Sequence, residues 1–300
     1  MPILAAGGRS ATIAHRFQLQ GQGPAAYERY LVPAVFAPCA AQLLDLAGVR
    51  PGERVLDVAC GTGIVARQAA LRVGAGGAVT GTDLNQGMVE AAEAAAAGLG
   101  VRIEWRRAEA TALPLPDGAV DLVCCQQGLQ FFPDRALALA EARRVLAPGG
   151  RVALAVWRAI DHNPGYAALA GAIERHAGAE TAAIMHAPFS GPDRQGLGRL
   201  LAGAGFAGAR VRIGIVPVRF GSARELLEAQ AVSSPLGPPL AALDEQAREA
   251  LAADVDRALA AWSDDDGLLF PAETWLATAH RDDHEDQPPA KWALETGAPG

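Results

Sequence analysis

Gly61 and Gly63 follow an apolar run in the stretch "VLDVACGTGIVARQAA" (Val55–Ala70), and Asp83 lies 22 residues after Gly61. Glycines at such a bend let a backbone approach a ligand with no Cβ in the way. The helical pattern that follows turns unpaired N–H groups and the positive end of its dipole towards an anion. Asp57 sits inside the apolar run, where an unsatisfied charge costs several kcal/mol. It therefore needs the loop's N–H groups or a ligand's cation as a partner.

The elements that position these residues alternate along the chain. Short apolar strands are expected at 55–59, 78–83, 101–109, 119–127 and 151–157. Helical patterns lie between them, with one opening at Ile64–Leu71 and others at 86–97 and 135–146, the last stopped by "APGG". Alternation of this kind gives a parallel sheet with helices on both faces. Before it, 24–47 reads as helices broken at Pro33 and Pro38. After it come a helix at 166–178, a second ending in "LLAGAGF", a strand at 209–220, helices across 222–262 interrupted by "SSPLGPPL", and a last strand at 267–281 broken or bulged at Pro271. Residues 1–23 are expected to be flexible and 282–300 disordered, leaving one domain at 24–281 with a core at 46–157 and helical lid insertions near 160–190 and 222–262.

In an open parallel sheet the ligand sits outside the carboxyl ends of the strands, where the strand order reverses. A dinucleotide would bring a pyrophosphate to that bend, and S-adenosylmethionine a carboxylate. Gly61-x-Gly63-x-x-Ala66 followed by Asp83 satisfies the dinucleotide pattern. Asp57 has no role beside a pyrophosphate, but beside a methionine moiety it can hold the loop and meet the ammonium directly or through water.

Four stretches in order, "VLDVACGTG", "VTGTDLNQGMVEAAE", "RRAEATALPLPDGAVDLVCCQQGLQFFPD" and "EARRVLAPGGRVALAVW", resemble the class I S-adenosylmethionine-dependent methyltransferases, the group that includes quinone-biosynthesis and natural-product enzymes. The resemblance covers Leu46 to Trp157. It implies an α/β, Rossmann-like seven-stranded sheet, S-adenosylmethionine as cofactor, S-adenosylhomocysteine as product, no metal, and a small organic acceptor methylated on carbon, oxygen or nitrogen. Carried onto this chain, Ala59, Gly61 and Gly63 surround the methionine end, Asp83 accepts from the ribose hydroxyls, Leu84 and Met88 flank the adenine, and Glu109 accepts from its amine beside Ala110. Gln126 and Gln127 face the methionine moiety or the acceptor. Ala59 stands where the family's first loop glycine usually does, and Glu109 where its adenine-contacting Asp does. Plain structural readings remain beside these: Asp83 as a helix N-cap, Met88 as core, the glutamines as internal hydrogen bonding.

A general base helps when the acceptor is a hydroxyl or carbon acid. Many sugar and natural-product O-methyltransferases of this type have a His after strand four, where this chain has Gln130 and Phe131. His162 is the best remaining base candidate, ahead of His15 and His186, and Tyr27 could close over the cofactor. A non-catalytic cofactor-binding protein and a nicotinamide oxidoreductase stay open as alternatives.

The composition narrows the partners. Against 33 Asp+Glu stand 26 Lys+Arg, a net charge of −7 with no long basic run, which argues against a nucleic-acid duplex. None of the four cysteines forms a CxxC pair, so a reducing compartment is expected, with neither a disulfide framework nor a structural zinc site. No secretory leader and no uninterrupted apolar run of membrane-spanning length is read from the sequence, and the expected location is the cytoplasm. Oligomeric state is not legible.

Overall fold

The strands are β1 (Arg54–Val58), β2 (Ala78–Asp83), β3 (Ile103–Arg107), β4 (Val120–Gln126), β5 (Leu146–Trp157), β6 (Phe206–Phe220), the two-residue β7 (Ser263–Asp264) and β8 (Gly267–Arg281). The computed structural model describes residues 17–282. The expectations for residues 1–16, His15 among them, and for 283–300 lie outside the described residues.

The sheet order is β3-β2-β1-β4-β5-β8-β6, with β7 paired to β8 alone. Seven strands therefore make the expected sheet, and β7 adds a two-residue eighth. β1 to β5 run parallel, and β8 enters antiparallel between β5 and β6. Successive strand residues point to opposite faces. Val55, Leu122 and Ala153 accordingly join one core, and Leu56, Val123 and Leu154 the other. The first core packs under α1 (Gly23–Ala47), α2 (Ile64–Val73), α5 (Pro164–His186), α7 (Ala223–Ser233), α8 (Gly237–Ala241) and α9 (Glu245–Leu259). The second lies under α4 (Arg135–Val145) and α6 (Arg194–Gly203). Over β2 and the edge strand β3, α3 (Gln86–Ala96) buries Met88, Val89 and Ala92.

Four proline and glycine positions differ from expectation. The helix over 23–47 is continuous, because Tyr27–Phe36 winds as a π-helix around Pro33 while Pro38 falls in the first turn of Ala37–Ala47. A wider turn accommodates the proline that an α-turn would reject, and the first turn of a helix needs no N–H. By length and composition this 25-residue helix could cross a membrane. In the fold its Leu31, Val35, Leu43 and Leu44 are core residues, so its apolarity is that of a packed helix. Pro271 does not break β8. It faces Pro217 of β6 in register, an arrangement suited to a non-hydrogen-bonded pair, in which neither residue owes the other an N–H. The pairing of β8 with β5 extends only from Thr274 to His280, so no ladder bond to β5 is lost at Pro271 either. Finally, α5 runs on to His186 with a non-helical kink at Gly178, where the sequence suggested its end.

Candidate functional site

Strand order reverses between β1 and β4, and a cavity of about 560 Å³ opens at their carboxyl ends. Its floor is the β1–α2 loop. Cys60 N–H donates to Thr82 O (2.9 Å) and Gly63 N–H to Cys60 O (2.9 Å), folding the loop back on itself. Ala59, Gly61 and Gly63 all take positive φ, at 55°, 55° and 83°. A Cβ on Gly61 would meet only Tyr27 Cε1, at 4.0 Å, so the space before it is open to a ligand. Gly63 differs: a Cβ there would stand 2.3 Å from the Trp105 ring. That glycine allows the loop to pack on β3 and does not itself line the cavity.

Ala59 bears the cost of being an L-residue in the left-handed region, ~1–2 kcal/mol. Ala59→Gly is expected to raise stability by about 1 kcal/mol, measurable as a higher urea midpoint. An unchanged or lower midpoint would show that the lost Cβ contact matters more than the strain.

Asp83 ends β2 and lines the cavity. Its Oδ2 accepts from Gly61 N–H and its Oδ1 from Asn85 N–H, both at 2.9 Å. It is therefore not the cap of α3, a task done by Asn85, whose side chain accepts from Gly87 N–H (2.9 Å). Burial raises the Asp83 pKa above the ordinary carboxylate value, opposed by the N–H bonds from Asn85 and Gly61. Around it Leu84 stands 38% exposed at the rim, Met88 is buried, and Glu109 and Ala110 face the same space.

Asp57 is fully buried and does not line the cavity. Its Oδ2 accepts from Ala66 N–H (3.0 Å), and its Oδ1 has no protein partner. It holds the loop to the first turn of α2, and its carboxylate does not itself face the cavity. Desolvation pushes its pKa up to about 8, with the Ala66 bond opposing and the Asp83 charge adding to the rise.

Residues 56–154 match the family model described as a methyltransferase domain. That third of the chain is similar to methyltransferase domains. A nocamycin O-methyltransferase of Saccharothrix syringae is 43% identical over 121 residues, 40% of this chain and 43% of that protein. A ubiquinone/menaquinone biosynthesis C-methyltransferase of Teredinibacter turnerae is 39% identical over 111 residues, 36% of this chain and 45% of that one. The chain thus spans under half the length of these relatives. Among solved structures, phosphoethanolamine N-methyltransferase 2 of Haemonchus contortus superposes with a TM-score of 0.57 at 20% identity, over 91% of this chain and 60% of that one; this is a likeness of fold.

Beyond Asp83 and the Gly61 loop, the cavity continues into a chamber walled by Tyr27 and Phe36 of α1, Phe131, Trp157, Tyr166 and Phe189. Gln126 and Gln127 line it as well, with different duties. Gln127 is held at φ 54°; its Oε1 accepts from Trp157 N–H (2.8 Å) and its Nε2 donates to Thr274 Oγ1 (3.1 Å). It ties β4 to β5 and β8 as a structural joint. Gln126 Nε2 donates to Phe36 O (3.2 Å), fastening α1 to the end of β4.

His162 is exposed, its Nε2 3.0 Å from an Arg158 Nη, and it does not line the cavity. The short 3-10 turn after β5 directs it outward because Asn163, fully buried, donates to Arg158 O and Ala159 O and accepts from Glu273 N–H. His186 is also exposed and outside the cavity. No histidine lines the cavity among the described residues. Tyr27 does reach it, its ring stacked on Phe36 at 4.9 Å, but burial drives its pKa well above the ordinary value, with the Asp83 charge adding. It is no base near neutral pH.

Sequence reasoning missed Asn85, Trp157, Tyr166, Phe189 and Gln230, all of which line the cavity. Trp157 was within reach, since it ends β5 at the same carboxyl edge as Gln126. Also missed was the segment before α1: Phe17 packs on Phe131 at 4.9 Å, and Asn85 Nδ2 donates to Leu19 O (2.7 Å). The described end of the first 23 residues is thus part of the cavity wall.

Proposed function

We propose that this chain binds S-adenosylmethionine and passes its methyl group to a small organic acceptor held in the aromatic chamber. The observation that carries the reading is the continuity of one cavity from the Asp83 carboxylate and the open Gly61 loop to the chamber of Trp157, Tyr166 and Phe189. The residues fit the cofactor. Asp83, fixed by two backbone N–H groups, accepts from the ribose hydroxyls; Leu84 and Met88 flank the adenine, and Glu109 accepts from its amine. Gly61 leaves room for the methionine end.

When bound, the cofactor supplies a methyl group already activated on a sulfonium. The protein then has chiefly to hold the acceptor in line, and positioning of this kind contributes ~7–11 kcal/mol. The chamber's lack of a histidine is compatible with this, since neither a covalent intermediate nor a base is indispensable. The relatives named for O-methylation of nocamycin and for C-methylation in quinone biosynthesis support a natural-product or quinone-like acceptor. We read the helices of 164–186 and 223–259 as the lid over that acceptor and the cytoplasm as the place of action.

Calorimetric titration with S-adenosylhomocysteine, with NAD as control, tests the reading. Micromolar binding of the former alone is expected. Heat with NAD alone would replace it with an oxidoreductase, and silence with both would remove the cofactor site.

A further inference from the structure

Tyr166 has a hydroxyl that makes no hydrogen bond among the described residues. The residue is 4% exposed and lines the cavity, and its hydroxyl is not among the fully buried atoms that lack a partner, so it opens on the cavity. A tyrosine hydroxyl so placed is free to bond a ligand. Its orientation is set by packing: the ring meets Phe270 edge-on at 5.3 Å, Phe189 at 5.3 Å and Trp157 at 6.5 Å. Gly165 permits this clamp, since a Cβ there would lie 2.4 Å from the Phe270 ring. Burial raises the Tyr166 pKa, so the hydroxyl keeps its proton and donates it in a hydrogen bond.

A second free group comes from another helix. Gln230 of α7 is 7% exposed, lines the same cavity and makes no side-chain hydrogen bond among the described residues. The neighbouring Ser233 and Ser234 hydroxyls donate to carbonyls of their own helix, Ala229 O and Gln230 O. The charged side chains that line the cavity are all acidic. Asp83, Glu109 and Asp134 line the cavity, and no Lys, Arg or His does among the described residues. An anionic acceptor would find no countercharge here.

We propose that Tyr166 and Gln230 are the specificity-determining residues of the acceptor chamber, and that they select an uncharged, flat, conjugated molecule presenting a carbonyl oxygen to the Tyr166 hydroxyl. The inference rests on the methyltransferase reading and adds the class of acceptor to it. The aromatic walls take the flat body, Tyr166 donates to the carbonyl, and the Gln230 amide serves a second polar group.

The test uses two dyes of similar size on the full chain, with and without saturating S-adenosylhomocysteine. One is the neutral ketone prodan (propionyl-dimethylaminonaphthalene), whose emission responds to hydrogen bonding at its carbonyl. The other is the anionic anilinonaphthalene sulfonate. Prodan is expected to bind at least about tenfold more tightly than the sulfonate. Tyr166→Phe is expected to weaken prodan at least about fivefold and move its bound emission to shorter wavelength. Gln230→Leu provides a second variant should Tyr166→Phe fold poorly, and is expected to weaken prodan in the same direction. Equal prodan affinity and emission in wild type and Tyr166→Phe, failure of prodan to bind, or equal binding of the sulfonate would each overturn the proposal. Loss of S-adenosylhomocysteine binding with the dye selectivity intact would instead sink the cofactor reading.

Discussion

Asp83→Ala is expected to weaken S-adenosylhomocysteine binding by about a hundredfold or more, close to 2.7 kcal/mol, with the fold retained. Two losses add. The ribose hydroxyls lose a charged acceptor, a contact worth ~1.5–3 kcal/mol. The Gly61 and Asn85 N–H groups, each 2.9 Å from an Asp83 oxygen, lose the anchor that holds the loop and the start of α3 in one relation. Asp83→Asn keeps one acceptor oxygen and no charge, and is expected to fall between the two, near tenfold. Calorimetry gives the affinities, and circular dichroism checks the fold. Because burial raises the Asp83 pKa, wild-type binding should weaken on acidification while the pH is still above the ordinary carboxylate range, and Asp83→Asn should lack that limb. Wild-type affinity in Asp83→Ala would remove the residue from the site.

The glycine-loop half of the candidate site was legible because each of its features leaves a local mark. A buried strand carrying Asp57, a loop that takes three positive-φ residues, and an acid at the end of the next strand are all written in short spacings, and strand alternation sets their place on the sheet edge. The positions are unforgiving: Gly63 and Gly81 both lie against the Trp105 ring, where a Cβ would come within 2.4 Å of it.

The acceptor half leaves no such mark. Tyr166 and Gln230 sit on amphipathic helices where a buried aromatic or an occasional buried amide looks like any core residue, and only the unmade hydrogen bonds distinguish them. His162 misleads for a related reason. Topology puts the turn after β5 at the right edge of the sheet, but the direction of one side chain depends on Asn163 pinning that turn to Glu273 of β8, more than a hundred residues away in sequence. Pro33 misleads too, since the usual consequence of an interior proline is a break, and a π-turn that absorbs it is set by the packing of α1 on the sheet.

Asp57→Asn is expected to be more stable than wild type in alkaline buffer and equal to it in acid below pH 3.8. The folded-state pKa of Asp57 is raised from 3.8 to about 8, so across that interval the folded chain keeps a proton that the unfolded chain has released. Stability from this source is complete below the unfolded value, falls as pH rises towards about 8, and is lost beyond it. The slope is roughly 1.4 kcal/mol per pH unit while the two states differ by a full proton, which amounts to a few kcal/mol between about pH 5 and pH 8. Asparagine imitates the protonated acid: its carbonyl can still accept from Ala66 N–H, and it carries no charge to desolvate. Urea midpoints of the ligand-free proteins should therefore coincide below the unfolded value of 3.8 and separate steadily above it, with the variant higher. Parallel curves across that range would mean that Asp57 is ionised in the fold and that its unpartnered Oδ1 has found a donor, returning the residue to the role of a charged ligand group. Separation with unchanged S-adenosylhomocysteine affinity near pH 6 would instead fix it as the peg of the glycine loop, a task for which the proton is an asset because the site has only one N–H to offer it.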